Sequence, residues 1–175
     1  MLKIGIIGFG GIAQTAHLKA YSQLEKDGKI KVVAVCDASP ERFEQKLEIN
    51  IGSADVSLGE NVVKYTDYKE MLKNEELDMV DICVPTYLHA PITIDSLEAG
   101  CHVLCEKPMS LAYEDCKKMI DASLRCGKKL MIGQSPRFGA PFIYIKELID
   151  KKVYGNVKSA IFQRFSTNPV WGWDN

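Results

Sequence analysis

Six residues near the start of the chain, Gly8-Phe9-Gly10-Gly11-Ile12-Ala13, have the types and spacing that can hold a diphosphate. They fit the pattern G-x-G-x-x-G/A, between an apolar run at 3–7 and a segment of helical period that begins at Gly11. Gly8 permits a tight turn. Gly10 removes a Cβ so that the backbone can approach a pyrophosphate, and Ala13 lets the helix pack close to the strand. The unpaired N–H groups of the first helical turn, with the positive end of the helix dipole, would then hold the phosphates. Asp37 closes a second apolar run, Ile30–Cys36. A carboxylate there can accept hydrogen bonds from an adenine ribose and repels the extra phosphate of NADP. The expected cofactor is therefore NAD, with NADP disfavoured.

Two further groups follow apolar runs later in the chain. Pro85-Thr86-Tyr87-Leu88-His89 comes after the run at 79–84, and Glu106-Lys107-Pro108 after the run at 102–105. Open α/β sheets bind ligands at the carboxyl ends of their strands, so both groups belong to the same edge as the glycine turn. A lysine there can protonate or polarise a reacting oxygen, with Glu106 to orient it. The plain alternative for Glu106 and Lys107 is a solvated charge pair. For the glycine turn it is a tight strand-to-helix connection with no ligand.

Positioning these groups falls to an alternation of strand-like and helix-like segments. The runs at 3–7, 30–36, 62–65, 79–84, 102–105 and 130–133 are short and mostly apolar, as buried parallel strands are. Ile12, Ala16, Ala20 and Leu24 make one helical stripe, Leu88, Ile92 and Leu97 another, and 113–125 a third helix ended by Gly127. Ser39-Pro40-Glu41 reads as an N-cap, a first-turn proline and a first-turn acid. Asp67-Tyr68-Lys69-Glu70 resembles a capping box, residues 50–60 read as a loop, and Phe142, Ile145 and Ile149 mark a last helix. This interval of alternation implies right-handed βαβ units, hence an α/β fold of the Rossmann type with a doubly wound parallel sheet. Residues 157–165 instead alternate polar and apolar side chains, the mark of a half-exposed strand in a different sheet. The expected organisation is a dinucleotide-binding domain over 1–152. From 153 to 175 comes the first strand of a second, α+β domain that the chain does not complete.

Three segments stand in the order and spacing of one known family: Gly8-Phe9-Gly10-Gly11-Ile12-Ala13, Val84-Pro85-Thr86-Tyr87-Leu88-His89, and Ala99-Gly100-Cys101-His102-Val103-Leu104-Cys105-Glu106-Lys107-Pro108. With Gln134-Ser135-Pro136-Arg137-Phe138 they make the chain resemble the glucose–fructose oxidoreductase / inositol 2-dehydrogenase family, Gfo/Idh/MocA, over essentially its whole length. The resemblance implies a nicotinamide-dependent oxidoreductase acting on a sugar, cyclitol, sugar nucleotide or related hydroxy compound. It implies that Lys107 lies near the nicotinamide and assists hydride transfer as the catalytic residue. Phe9, Gly10, Gly11, Ile12, Asp37, Thr86, His89 and Glu106 would line the cofactor. Members commonly carry Asn where this chain has Thr86, which keeps hydrogen-bonding ability but shortens the reach. The family's second domain supplies a further acid/base site, typically an Asp and a His on a helix, and an open sheet for substrate contacts and homo-oligomer formation; no such motif occurs in these residues. Glu98 and His102 are four apart, but Gly100 breaks any helix between them. His17 reads as a packing or polar-surface residue of the first helix, and His102 as structural.

Composition narrows the other classes. The formal net charge of -1 leaves no electrostatic footprint for nucleic acid or an acidic membrane surface. No apolar run approaches the roughly 20 residues of a membrane helix. Cys36, Cys83, Cys101, Cys105, Cys116 and Cys126 include no Cys-x-x-Cys pair and no His at zinc-ligand spacing. They read as reduced structural thiols in the cytoplasm, and no metal site is expected. Tyr65/Lys69 and Tyr113/Lys117 match the Tyr-x-x-x-Lys spacing of short-chain dehydrogenases, but both pairs fall too early for that fold's catalytic helix. The competing functions are an isolated NAD-binding fragment or sensor without turnover of its own, and a structural domain without ligand.

Overall fold

A computed structural model describes residues 1–45, 48–49, 52–53, 57–59, 61–163 and 165. Strand β1 (Leu2–Ile7) leads through the glycine turn into a helix whose opening is wide: Ala13–His17 is π-helical, and α1 (Leu18–Lys26) continues it. Then come β2 (Ile30–Cys36) and a separate small hairpin of β3 (Glu48–Ile49) and β4 (Gly52–Ser53). The chain continues through β5 (Val63–Tyr65), α2 (Tyr68–Asn74), β6 (Met79–Ile82) and α3 (His89–Glu98). It goes on through β7 (His102–Cys105), α4 (Tyr113–Cys126), β8 (Leu130–Ile132) and α5 (Ala140–Asp150).

Six strands form one parallel sheet in the order β5-β2-β1-β6-β7-β8. From β1 the chain winds outward through β2 to β5, returns to the other side of β1, and winds outward again. The direction reverses between β1 and β6, and their carboxyl ends border the crevice where such sheets take ligands. Register makes this edge level: Ile7 pairs with Cys36 on one side and Ile82 on the other, and Ile82 pairs with Cys105. Gly8, Asp37, Cys83 and Glu106, each the next residue of its chain segment, therefore leave the sheet side by side.

Alternation along the strands divides the core between the two faces. Ile4, Ile6, Val32 and Val35 pack with Leu18 and Tyr21 of α1. Ile7, Ala34, Val80, Ile82 and Val103 pack with residues of α2, α3 and α4, among them Met71, Ile92, Leu97 and Met119. Asp67 caps α2 as its sequence predicts, accepting the Lys69 N–H at 2.8 Å.

Three local expectations are corrected. Ser39-Pro40-Glu41 opens only a single 3₁₀ turn, Pro40–Phe43, and makes no side-chain cap; the Ser39 hydroxyl bonds the Glu41 carboxylate instead of a backbone N–H. The alternating stretch at 157–165 forms no strand at its described residues, 157–163 and 165. Alternation specifies which side chains share a face, but a strand also needs a neighbouring backbone to complete its hydrogen bonds, and the described residues supply none. The loop expected at 50–60 is interrupted at Gly52–Ser53, which pairs with Glu48–Ile49 as β4; much of its remainder, Arg164 and the segment Pro169-Val170-Trp171-Gly172-Trp173 lie outside the described residues.

The chain divides into two compact units, Met1–Gly133 and Gln134–Asn175. The first holds the whole parallel sheet. The second contains a 3₁₀ turn at Ser135–Phe138 and α5. No helix among the described residues is long and apolar enough to cross a membrane.

Candidate functional site

At the end of β1, Gly8 turns the chain with φ +90° and donates its N–H to Cys36 O at 2.8 Å. A Cβ on Gly8 would lie 2.6 Å from the carbonyl carbon and oxygen of Cys83 and 2.8 Å from Val84 N. Backbone on the far side of the switch point thus forbids a side chain here. Gly10 is the opposite case, since a Cβ on it would meet nothing within 4 Å. That open space adjoins the start of the helix, whose first N–H groups have no partners within it, so the turn fits a diphosphate. Ala13 is fully buried against the sheet.

Asp37 is anchored to this turn. One carboxylate oxygen accepts the Phe9 N–H at 2.8 Å and the other the Ser39 N–H at 2.9 Å. A carboxylate can accept about four hydrogen bonds, so capacity remains on both oxygens for a diol. Phe9 contributes backbone rather than side chain: its ring is buried and packs near Phe43, with centroids 6.2 Å apart.

At the ends of β6 and β7 the second set of residues meets. Thr86–Leu88 forms a 3₁₀ turn that runs into α3. His89, fully enclosed, places Nδ1 2.8 Å from Pro108 O and Nε2 2.9 Å from Val84 O. It therefore ties the Val84-Pro85-Thr86 turn to the Glu106-Lys107-Pro108 turn from behind. The Lys107–Pro108 bond is cis. Lys107 is exposed, and its N–H donates to Glu106 Oε2 at 3.0 Å.

Between the two halves lies a cluster that the sequence reading missed. His17, the last residue of the wide turn, has Nδ1 2.7 Å from Asp81 Oδ2 and Nε2 3.0 Å from Glu106 Oε1. Asp81 is fully buried in β6 and also accepts the Tyr21 hydroxyl at 2.9 Å. Cys83 Sγ lies 3.6 Å from His17 Nδ1 and 3.7 Å from Asp81 Oδ1. Ligand atoms of His17, Asp81 and Cys83 fall within 4.8 Å of one another, but both ring nitrogens already face carboxylate oxygens, so the group is a hydrogen-bonded ion cluster. The signal in the sequence was Asp81 itself, a lone acid inside the apolar run Met79-Val80-Asp81-Ile82. A carboxylate in such a run requires a buried partner.

Electrostatics follows from these contacts. Burial works against the charged His17 ring, yet its hydrogen bonds to Asp81, Cys83 and Glu106 outweigh that and hold its pKa far above the ordinary histidine value. Burial likewise opposes ionisation of Glu106. The bonds from His17 and from the Lys107 N–H, with the positive charges of both residues, outweigh it and hold the carboxyl below its ordinary value. The Cys83 thiol is pushed up to about 12, first by burial and then by Asp81. It is not a nucleophile at neutral pH.

Known proteins carry the same framework. The family model described as "Oxidoreductase family, NAD-binding Rossmann fold" matches residues 2–134. The D-glucoside 3-dehydrogenase of Escherichia coli K12 is 30% identical over 172 residues, covering 98% of this chain and 46% of the relative. Among solved structures, the WlbA dehydrogenase of Bordetella pertussis in complex with NADH and UDP-GlcNAcA superposes with a TM-score of 0.75 at 27% identity, over 88% of this chain and 43% of that one. The scyllo-inositol dehydrogenase of Lactobacillus casei with bound NAD(H) and scyllo-inositol gives 0.72 at 26% identity, over 89% and 42%. This chain thus spans less than half the length of these relatives. A glycine turn at the head of a doubly wound sheet, an acid after β2, Glu-Lys-Pro after β7, and a family model that spans all of these agree: the chain belongs to the Gfo/Idh/MocA oxidoreductase family and carries its NAD-binding Rossmann fold.

Proposed function

We propose that the chain binds NAD(H) along the carboxyl edge of β1, β2, β6 and β7. There it serves as the cofactor-binding part of a dehydrogenase acting on a CH–OH group of a sugar, cyclitol or related hydroxy compound. The observation that carries this reading is the common level from which Gly8, Asp37 and Glu106 leave the sheet. Gly8, Gly10, Gly11, Ile12 and Ala13 would hold the pyrophosphate, with backbone help from Phe9, and Asp37 the adenine ribose. Thr86, Glu106 and Lys107 would border the nicotinamide half, with His89 fixing their two turns. Bound nicotinamide supplies the hydride acceptor or donor. Lys107 holds or gives the hydroxyl proton at Nζ, and Glu106 orients it. The acid at Asp37 supports NAD over NADP.

Substrate contacts and homo-oligomer formation belong, in this reading, to parts of the relatives that the chain does not span. Four of the six cysteines are buried, Cys36, Cys83, Cys101 and Cys105, which supports structural thiols of a cytoplasmic protein. The test is titration of the 175-residue chain with NAD(H) and NADP(H), followed by thermal shift and by nicotinamide fluorescence. Stronger binding of NAD(H) is expected. No response to either pair overturns the reading, and a panel of polyols and sugars then separates binding with turnover from binding without it.

A further inference from the structure

We propose that His17 is a positioning residue of the NAD(H) site: donating from both ring nitrogens, it holds the Glu106 carboxylate in one orientation against the Lys107 N–H. The proposal rests on the NAD(H) reading above and adds to it a residue outside the glycine turn and the Glu-Lys-Pro segment.

Geometry supports it in three ways. First, both neighbours of the imidazole are carboxylate oxygens, at 2.7 and 3.0 Å. Where a carboxylate accepts, the ring nitrogen facing it donates, and the raised pKa of His17 agrees with a proton on both. Second, Glu106 is fixed at both oxygens, Oε1 by His17 and Oε2 by the Lys107 N–H at 3.0 Å. Gly133 keeps the space clear, since a Cβ there would come within 3.0 Å of Oε1. The backbone from which the Lys107 side chain starts is thereby held through His17. Third, a purely structural role would need less. The His17–Asp81 pair and the Tyr21–Asp81 bond already join the first helix to β6 in the interior, whereas the arm to Glu106 reaches the ligand edge.

The charged and titratable groups facing His17 are Tyr21 from its own helix, Asp81 and Cys83 from β6 and its end, and Glu106 from the end of β7, with Lys107 next in sequence. Two carboxyl groups thus share one imidazole, and the positive charge of Lys107 adds to that of His17 in favouring the ionised Glu106.

Two measurements on the full chain test the proposal. Nitrogen NMR of the unaltered protein reads the His17 ring directly. Both ring nitrogens are expected to keep their protons from about pH 6 to 9, and loss of a proton near the ordinary value of about 6.5 overturns the proposal. His17→Gln is then compared with the unaltered chain using NADH and ADP-ribose, which lacks the nicotinamide. The expected result is a roughly tenfold loss of NADH affinity with ADP-ribose binding kept, and a Glu106 carboxyl that titrates about one pH unit or more higher. Equal loss for both probes, or an unmoved Glu106, makes His17 structural only and overturns the proposal. If His17→Gln does not fold, the ring titration of the unaltered chain decides. An unaltered chain that binds neither probe defeats the NAD(H) reading itself, a result distinct from one in which both probes bind and weaken alike.

Discussion

Gly8 and Gly10 are two residues apart and tolerate a side chain in opposite ways. Gly8→Ala sets a Cβ against the Cys83 carbonyl at 2.6 Å and forces an L residue to φ +90°. Unfolding in urea is expected to show a loss of about 3 kcal/mol or more. Gly10→Ala enters open space, so stability should stay within about 0.5 kcal/mol while NAD(H) affinity falls about tenfold or more. A Gly10→Ala chain that binds NAD(H) normally would remove the pyrophosphate from this turn. For Asp37→Ser, calorimetric titration should give a loss of about tenfold to a hundredfold in NAD(H) affinity, with discrimination against NADP(H) relaxed. Unchanged NAD(H) affinity would take Asp37 out of the site. The residues proposed for these roles were legible in the sequence because a glycine turn and the acid after the next strand are local patterns. The inward burial of Phe9 was not, since it depends on Phe43 arriving from a later turn.

At the scale of elements, the His17 cluster joins the first helix to β6 and to the end of β7, and its protonation makes that joint sensitive to pH. The folded pKa of His17 is raised, so its stabilisation is complete below the unfolded value of about 6.5 and is lost as pH rises toward the folded one. Between about pH 7 and 8 the unfolding free energy should fall with a slope of about 1.4 kcal/mol per pH unit, and more steeply toward pH 9, where buried thiols such as Cys83 stay protonated only in the folded chain. Glu106 acts in the other direction: its folded pKa is lowered, so its contribution is present above about 4.3 and is lost as pH falls through the folded value. Denaturant titrations from about pH 3 to 9 check both, and a flat profile from pH 7 to 9 would contradict an imidazolium at His17. Strand and helix periods made the elements readable, including Asp67 as the cap of α2. The wide turn at Ala13–His17 was not readable, because an apolar stripe does not distinguish a π turn from an α turn.

For the molecule as a whole, the ligand edge lies entirely within the unit Met1–Gly133. A chain ending at Gly133 is expected to fold and to bind NAD(H) within about threefold of the longer chain, as gel filtration and the same titrations would show. Loss of binding would place part of the site in residues 134–175. By itself the sequence determined the alternation of strands and helices, the place of the glycine turn, and the acid and lysine at strand ends. Each of these is written in neighbouring residues and their period. Only the tertiary structure decided which of them meet. His17 is 64 residues from Asp81 and 89 from Glu106, and their contact depends on β6 lying beside β1 and β7 beside β6. The strand order sets that, and local spacing does not. The same limit accounts for 157–165: alternation names the two faces of a strand, but the partner that completes its hydrogen bonds must come from elsewhere in the fold.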